Sequence, residues 1–313
     1  MSEFLFHVGH GRTGSSYIQS AFARSVDRLA ERNIVYPDLN GSLENAGIGK
    51  ITSGNIRVAS DTFERQIFQL TDQYPDRRIL LSSEKLFGFF RSQEGLRQLM
   101  TLAEGPHSAS ILCLTRDPVS HAVSTFVQSV KGGRTSQISE HLLAYHTPLR
   151  VIEFLRQLDE IGIPRTVLRF ESVRTSLLAA LEEWLEIPEG SLEAPRPSSN
   201  RSLVRSEIEL QRRLNERLDR KAAFRFANAL AENEITAEKD LAFIPESDLA
   251  NFLYRMQGMI ETCNAELPEH AHYQVPDMSE CKHLLQGESD VETFVFTQEQ
   301  LEALARAIIL TRR

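Results

Sequence analysis

Cysteine is scarce. There are three in 313 residues, an odd number, at spacings that suggest neither a disulfide framework nor a metal site. Cys113 falls inside an apolar run and reads as a small core residue. Long apolar stretches are missing as well. No run approaches the ~20 residues that a membrane-spanning helix needs, and the N-terminus has no charged-then-apolar leader pattern. A cytoplasmic protein with no integral membrane segment is expected. There is no internal repeat and no low-complexity tract. Positive charge is in deficit: 35 Lys and Arg stand against 43 Asp and Glu, a net charge of −8. That speaks against non-specific nucleic-acid binding, and any anion site must be made positive locally. No group of acidic residues has metal-ligand spacing, so no metal is expected.

What the chain does have begins at its start. Residues 4–19 read FLFHVGHGRTGSSYIQ, an apolar strand running into a glycine-punctuated loop and then a helix. The spacing Gly9-x4-Gly14-Ser15-Ser16 fits the phosphate-loop template G-x4-G-K-[ST] everywhere except at the lysine. Ser15 stands at that position, and a cation, Arg12, stands three residues earlier. Such a loop still offers backbone N–H groups and a helix N-terminus to an anion. The missing lysine argues against transfer of the γ-phosphoryl group of ATP.

A second stretch, residues 110–130, reads SILCLTRDPVSHAVSTFVQSV. Ser110–Thr115 is a buried-strand pattern. Arg116 follows at its C-terminal end, and Asp117-Pro118 is a strong helix start. Ser124 lies eight residues after Arg116, so a strand-end arginine and a helix serine can converge on one tetra-oxygen anion.

Together the two stretches resemble sulfotransferases that use 3′-phosphoadenosine 5′-phosphosulfate (PAPS), and in motif they are most similar to bacterial, glycan-modifying members. The resemblance lies in residues 4–36, 78–90 and 108–130, with weaker echoes near 165–187 and 198–212. It implies a P-loop-like fold. Gly11, Arg12, Thr13, Gly14, Ser15 and Ser16 would bind the 5′-phosphosulfate, and Arg116 and Ser124 the 3′-phosphate. Arg201, in Asn200-Arg201-Ser202-Leu203, resembles part of a loop that closes over the nucleotide. The chain departs from the family in having Arg12 where many members have lysine, and His121 where many have a second arginine. Arg12 supplies the charge for the leaving oxygen as a planar fork, in place of a point charge and proton donor.

Glu84 and Lys85 follow the strand ILLSS. A Glu-Lys pair in glycan-modifying sulfotransferases looks similar and faces the acceptor, so Glu84 is a candidate general base and Lys85 a candidate substrate contact. His10, inside the loop, is the rival base. His7 reads as a buried, hydrogen-bonded histidine in a strand. His121 reads either as a neighbour of the ligand or as a packing residue.

The alternation of apolar strands with amphipathic helices implies α/β, a parallel sheet flanked by helices. We expect a single sulfotransferase domain over 1–313, with an α/β core at 1–190 and a mainly helical C-terminal part at 203–313. Ligands of such sheets bind beyond the strand C-termini, where residues 9–16, 84–85 and 116–124 fall. Ser16–Arg32 is expected as one helix, residues 40–60 as a polar loop lining an acceptor cleft, and Ser136–Ile161 as helix interrupted at Pro148. The last ~45 residues read as a lid or as a homodimer contact.

The expected function is transfer of the sulfuryl group of PAPS to an acceptor hydroxyl, on a saccharide or a glycolipid, leaving adenosine 3′,5′-bisphosphate (PAP). PAPS is the co-substrate, no metal takes part, and the acceptor is a small molecule or glycan. The alternatives are a P-loop-like kinase of a small molecule and a non-catalytic PAP- or nucleotide-binding module.

Overall fold

The computed structural model describes residues 1–50, 52–195, 203–231, 241, 244–286 and 295–311. Its strands are β1 (Glu3–Gly9), β2 (Ile34–Val35), β3 (Arg78–Ser83), β4 (Ser108–Thr115) and β5 (Arg165–Arg169). They form one sheet in the order β2-β3-β1-β4-β5, and every pairing is parallel. The expected α/β class with a helix-flanked parallel sheet is therefore the one observed.

Alternation along β1 separates two apolar layers. Leu5 shares a cluster with Ile18, Phe22, Leu80, Leu112, Leu177, Leu181 and Leu185. Phe6, pointing the other way, meets Phe63 at 6.2 Å and Phe90 edge-on at 5.2 Å. The first layer is supplied by α1 (Ser15–Arg24) and α2 (Val26–Glu31). The expected single helix is broken between them, because the Ser25 hydroxyl turns back to donate to the Ala21 carbonyl at 2.7 Å.

A short α3 (Leu43–Gly47) interrupts the expected 40–60 loop. The second layer comes from α4 (Ser60–Gln73), α5 (Lys85–Phe90) and α6 (Gln93–Glu104), the last started by Ser92, whose hydroxyl accepts from the Gly95 N–H.

After β4 come α7 (Pro118–Lys131), α8 (Ile138–Leu143) and α9 (Thr147–Glu160). The interruption falls at residues 144–146, and Pro148 opens α9 in its first turn, where no backbone N–H is needed. Then α10 (Phe170–Val173) and α11 (Leu177–Trp184) follow β5. Further on are α12 (Arg205–Asn215), α13 (Arg220–Ala231), α14 (Glu246–Asn264) and α15 (Gln298–Thr311).

Two compact units can be drawn. The first holds residues 1–117, 147–197 and 261–273, and with them the whole sheet. The second holds 118–146, 198–260 and 274–313. Within the second, the Asn215 amide donates to the carbonyls of Val130 and Arg134 at 2.8 and 2.7 Å, which fastens α12 to the turn after α7. Arg255 donates to the carbonyls of Leu142 and Tyr145 and so closes the end of α8. His121 is buried and hydrogen-bonded to the Tyr145 hydroxyl at 2.8 Å.

Candidate anion site at the strand ends

β1 is the middle strand, and its neighbours end level with it. Val8 pairs with Ser83 and Gly9 with Leu114. Glu84 therefore leaves the sheet on one side of the Gly9–Ser16 loop, and Arg116 follows β4 on the other.

The loop needs its glycines for different reasons. Gly11 and Gly14 have φ near 85°, a left-handed conformation that glycine adopts without a Cβ clash. A Cβ on Gly9 would stand 2.5 Å from the Ser15 hydroxyl. Arg12 also takes a left-handed φ, 59°, which costs an L-residue about 1–2 kcal/mol. Gly14 is the N-cap of α1 and brings no capping side chain, and the first turn of α1 has no acidic residue. The first amides of this ten-residue helix are thus left for something else. Among the described residues nothing lies within 4 Å of where a Gly11 Cβ would be.

Arg116 secures the strained residue. Its Nη1 donates to the Arg12 carbonyl at 2.7 Å. Its guanidinium lies 5.6 Å from the Phe170 ring centre. Its Nε is 3.6 Å from Glu171 Oε1, and Glu171 Oε2 accepts from the Asp117 N–H at 3.1 Å. Phe170 packs against the loop as well, 2.8 Å from where a Gly14 Cβ would stand.

The chain matches no protein-family model, no curated protein and no solved structure.

The titratable groups at this edge are pushed apart. Burial raises the Glu84 carboxyl, against the Ser15 hydroxyl and the charge of Arg12, which both lower it. Glu84 is nevertheless exposed to solvent. Burial lowers Arg12, and Glu84 partly restores it; the guanidinium keeps its charge at neutral pH. His10 lies edge-on to Phe87 at 5.7 Å. Burial brings it down to about 4, with Arg116 contributing. His7, fully buried and 2.7 Å from the Ser82 hydroxyl, falls to about 3 by burial; it is the strand histidine the sequence suggested.

The described part of the segment expected as a loop is loop apart from α3, and it is pinned to the sheet. Asn55 completes the β3 edge: its side chain donates to the Leu80 carbonyl at 3.0 Å and accepts from the Ser82 N–H at 2.8 Å. Gly54 has φ 97°, and a Cβ there would meet the Ser82 carbonyl oxygen at 1.9 Å. The Thr52 hydroxyl donates to Gln19 on α1 at 3.0 Å. This segment therefore spans α1 and the end of β3, beside Glu84.

Of the residues singled out in the sequence, Gly11–Ser16, His10, Glu84, Lys85 and Arg116 gather at one sheet edge. Thr13 and Ser15 are buried, Arg12 is half-buried, and Ser16 and Lys85 are exposed. Ser124 is half-buried on α7 in the second unit. Arg201 lies outside the described residues. Sequence reasoning missed Phe170, Glu171 and Asn55. Asn55 had a local signal, the Gly54-Asn55 turn pair; Phe170 and Glu171 had none beyond their place just after a strand.

Proposed function

We propose that this chain is a PAPS-dependent sulfotransferase with a P-loop-like fold, acting on a hydroxyl of a saccharide or glycolipid in the cytoplasm. The observation that carries the reading is the arrangement across β1: a left-handed glycine loop with Arg12, a raised carboxyl on one side and a strand-end arginine on the other. Among the described residues no helix is long and apolar enough to cross a membrane, which suits a nucleotide-using enzyme that meets its donor in solution.

The donor supplies the sulfuryl group, and charge develops on its bridging oxygen as the group leaves. In this reading the amides of Gly11–Ser16 and the Arg12 guanidinium stabilise that charge, the main requirement of this kind of transfer. Arg116 and Ser124 are assigned to the 3′-phosphate and Lys85 to the acceptor. Glu84 is assigned as the base. Burial raises its carboxyl, whereas burial lowers the His10 imidazole to about 4, away from neutral pH, so the reading prefers Glu84 and keeps His10 as the rival base. Arg12, within Coulombic reach of Glu84, keeps the carboxylate available.

Screening hydroxyl acceptors with sulfur-labelled PAPS tests the reading. Transfer to a saccharide or glycolipid, abolished by Arg12→Ala, supports it. Transfer of phosphate from labelled ATP with no use of PAPS would replace it with the kinase reading.

A further inference from the structure

We propose that Glu171 is a positioning residue: it holds Arg116 in place, and through Arg116 it lets the site tell a nucleoside 3′,5′-bisphosphate from a 5′-monophosphate. The proposal rests on the sulfotransferase reading and adds to it a determinant of nucleotide specificity.

Three consecutive residues, the last of β5 and the first two of α10, reach both anion-binding segments. Arg169 Nη1 is 3.3 Å from Asp117 Oδ2, and its Nε donates to the Ser172 hydroxyl at 2.8 Å. Phe170 lies against Gly14 and beneath the Arg116 guanidinium. Glu171 touches the Asp117 N–H with one oxygen and faces Arg116 Nε with the other. A guanidinium is planar, so fixing its Nε edge and its Nη1 fixes the whole group. The Arg12 carbonyl fixes Nη1, and Glu171 steers Nε. With Glu171 neutralised, the charge that faces the Nε edge of Arg116 is gone and that edge is held less tightly.

The opposite role, a carboxylate that competes with the incoming phosphate, fits the geometry less well. At 3.6 Å the Glu171 oxygen is beyond hydrogen-bond range of Nε, so it steers without using up a donor. Its other oxygen is tied to backbone, so the carboxylate stays where it is.

Calorimetric titration of the full chain with PAP and with adenosine 5′-monophosphate, at one fixed salt concentration, tests this. Glu171→Gln should weaken PAP binding roughly three- to tenfold and leave the monophosphate within about twofold. In an Arg116→Ala background, Glu171→Gln should bring no further loss. Unchanged or tighter PAP binding by Glu171→Gln overturns the proposal, as does an equal loss for both nucleotides or an added loss in the double variant. Should Glu171→Gln fail to fold by circular dichroism, Arg116→Lys takes its place. It keeps the charge without the fork, and PAP binding at the wild-type level would then overturn the proposal. Wild-type protein that binds neither nucleotide overturns the sulfotransferase reading and this proposal together. Wild-type protein that binds PAP beside an unaffected Glu171→Gln overturns the positioning role alone.

Discussion

Replacing Arg116 with alanine should cost both stability and affinity, and the structure sets the size of the first. The guanidinium donates a charged hydrogen bond to the Arg12 carbonyl at 2.7 Å, a type of bond worth about 1.5–3 kcal/mol. The pair with Glu171 is loose, with side chains 22% and 29% exposed, and adds at most about 1 kcal/mol. Stacking over Phe170 at 5.6 Å adds about 0.5–1 kcal/mol. Because truncation also releases some strain at Arg12, a net loss of about 2–3 kcal/mol is expected. That corresponds to a thermal midpoint lower by roughly 3–5 °C for a chain of 313 residues, read by scanning calorimetry, with the far-ultraviolet circular dichroism kept. Arg116→Lys keeps the charge but not the fork, and should recover less than half of the loss. A midpoint within about one degree of wild type would show that Arg116 does not hold the loop. Its value to the protein would then lie in ligand contact alone.

Glu84→Gln keeps the shape and removes the proton acceptor, so turnover should fall by about 10²-fold or more while PAP affinity holds. The acid limb of its rate profile should flatten. The same variant should be more stable than wild type at neutral pH. A raised carboxyl penalises the folded state above its ordinary range, and this penalty disappears as pH falls below it; near-normal turnover in a pH series would remove Glu84 from catalysis. His7 works the other way, because its pKa is lowered to about 3 by burial. Stability should therefore be lost as pH drops from about 6.5 towards that value, and denaturant melts of His7→Gln should show a shallower acid decline. EDTA should leave labelled-PAPS turnover intact, and activity that disappears and returns with Mg²⁺ would contradict the assignment.

The sheet and loop were legible because their signals are local. The apolar runs at residues 4–8 and 110–115 mark buried strands, and Gly11 and Gly14 mark a loop whose backbone turns left-handed. His7 could be placed as buried from its apolar neighbours. The α1–α2 break was not legible, since Ser25 bends the helix by a side-chain bond that competes with the helical pattern without changing its period. Polar residues 40–60 read as loop, yet Asn55 completes a sheet edge 25 to 27 residues away in sequence. The support of Arg12 by Arg116 spans 104 residues. That of Asp117 by Glu171 spans 54. Contacts of that range leave no periodic trace, so candidate residues could be named from the sequence while what holds them could not.

The most direct measurement of the central claim is the thermal midpoint of the full chain with PAP beside that with ATP and Mg²⁺, at matched concentrations. PAP at about a hundred times its dissociation constant should stabilise the folded protein by about 2.7 kcal/mol. ATP with Mg²⁺ should shift the midpoint far less, because Ser15 replaces the lysine that would reach its outer phosphates. A clear rise with PAP and little with ATP is the predicted result; equal shifts with both, or none with PAP, would contradict it.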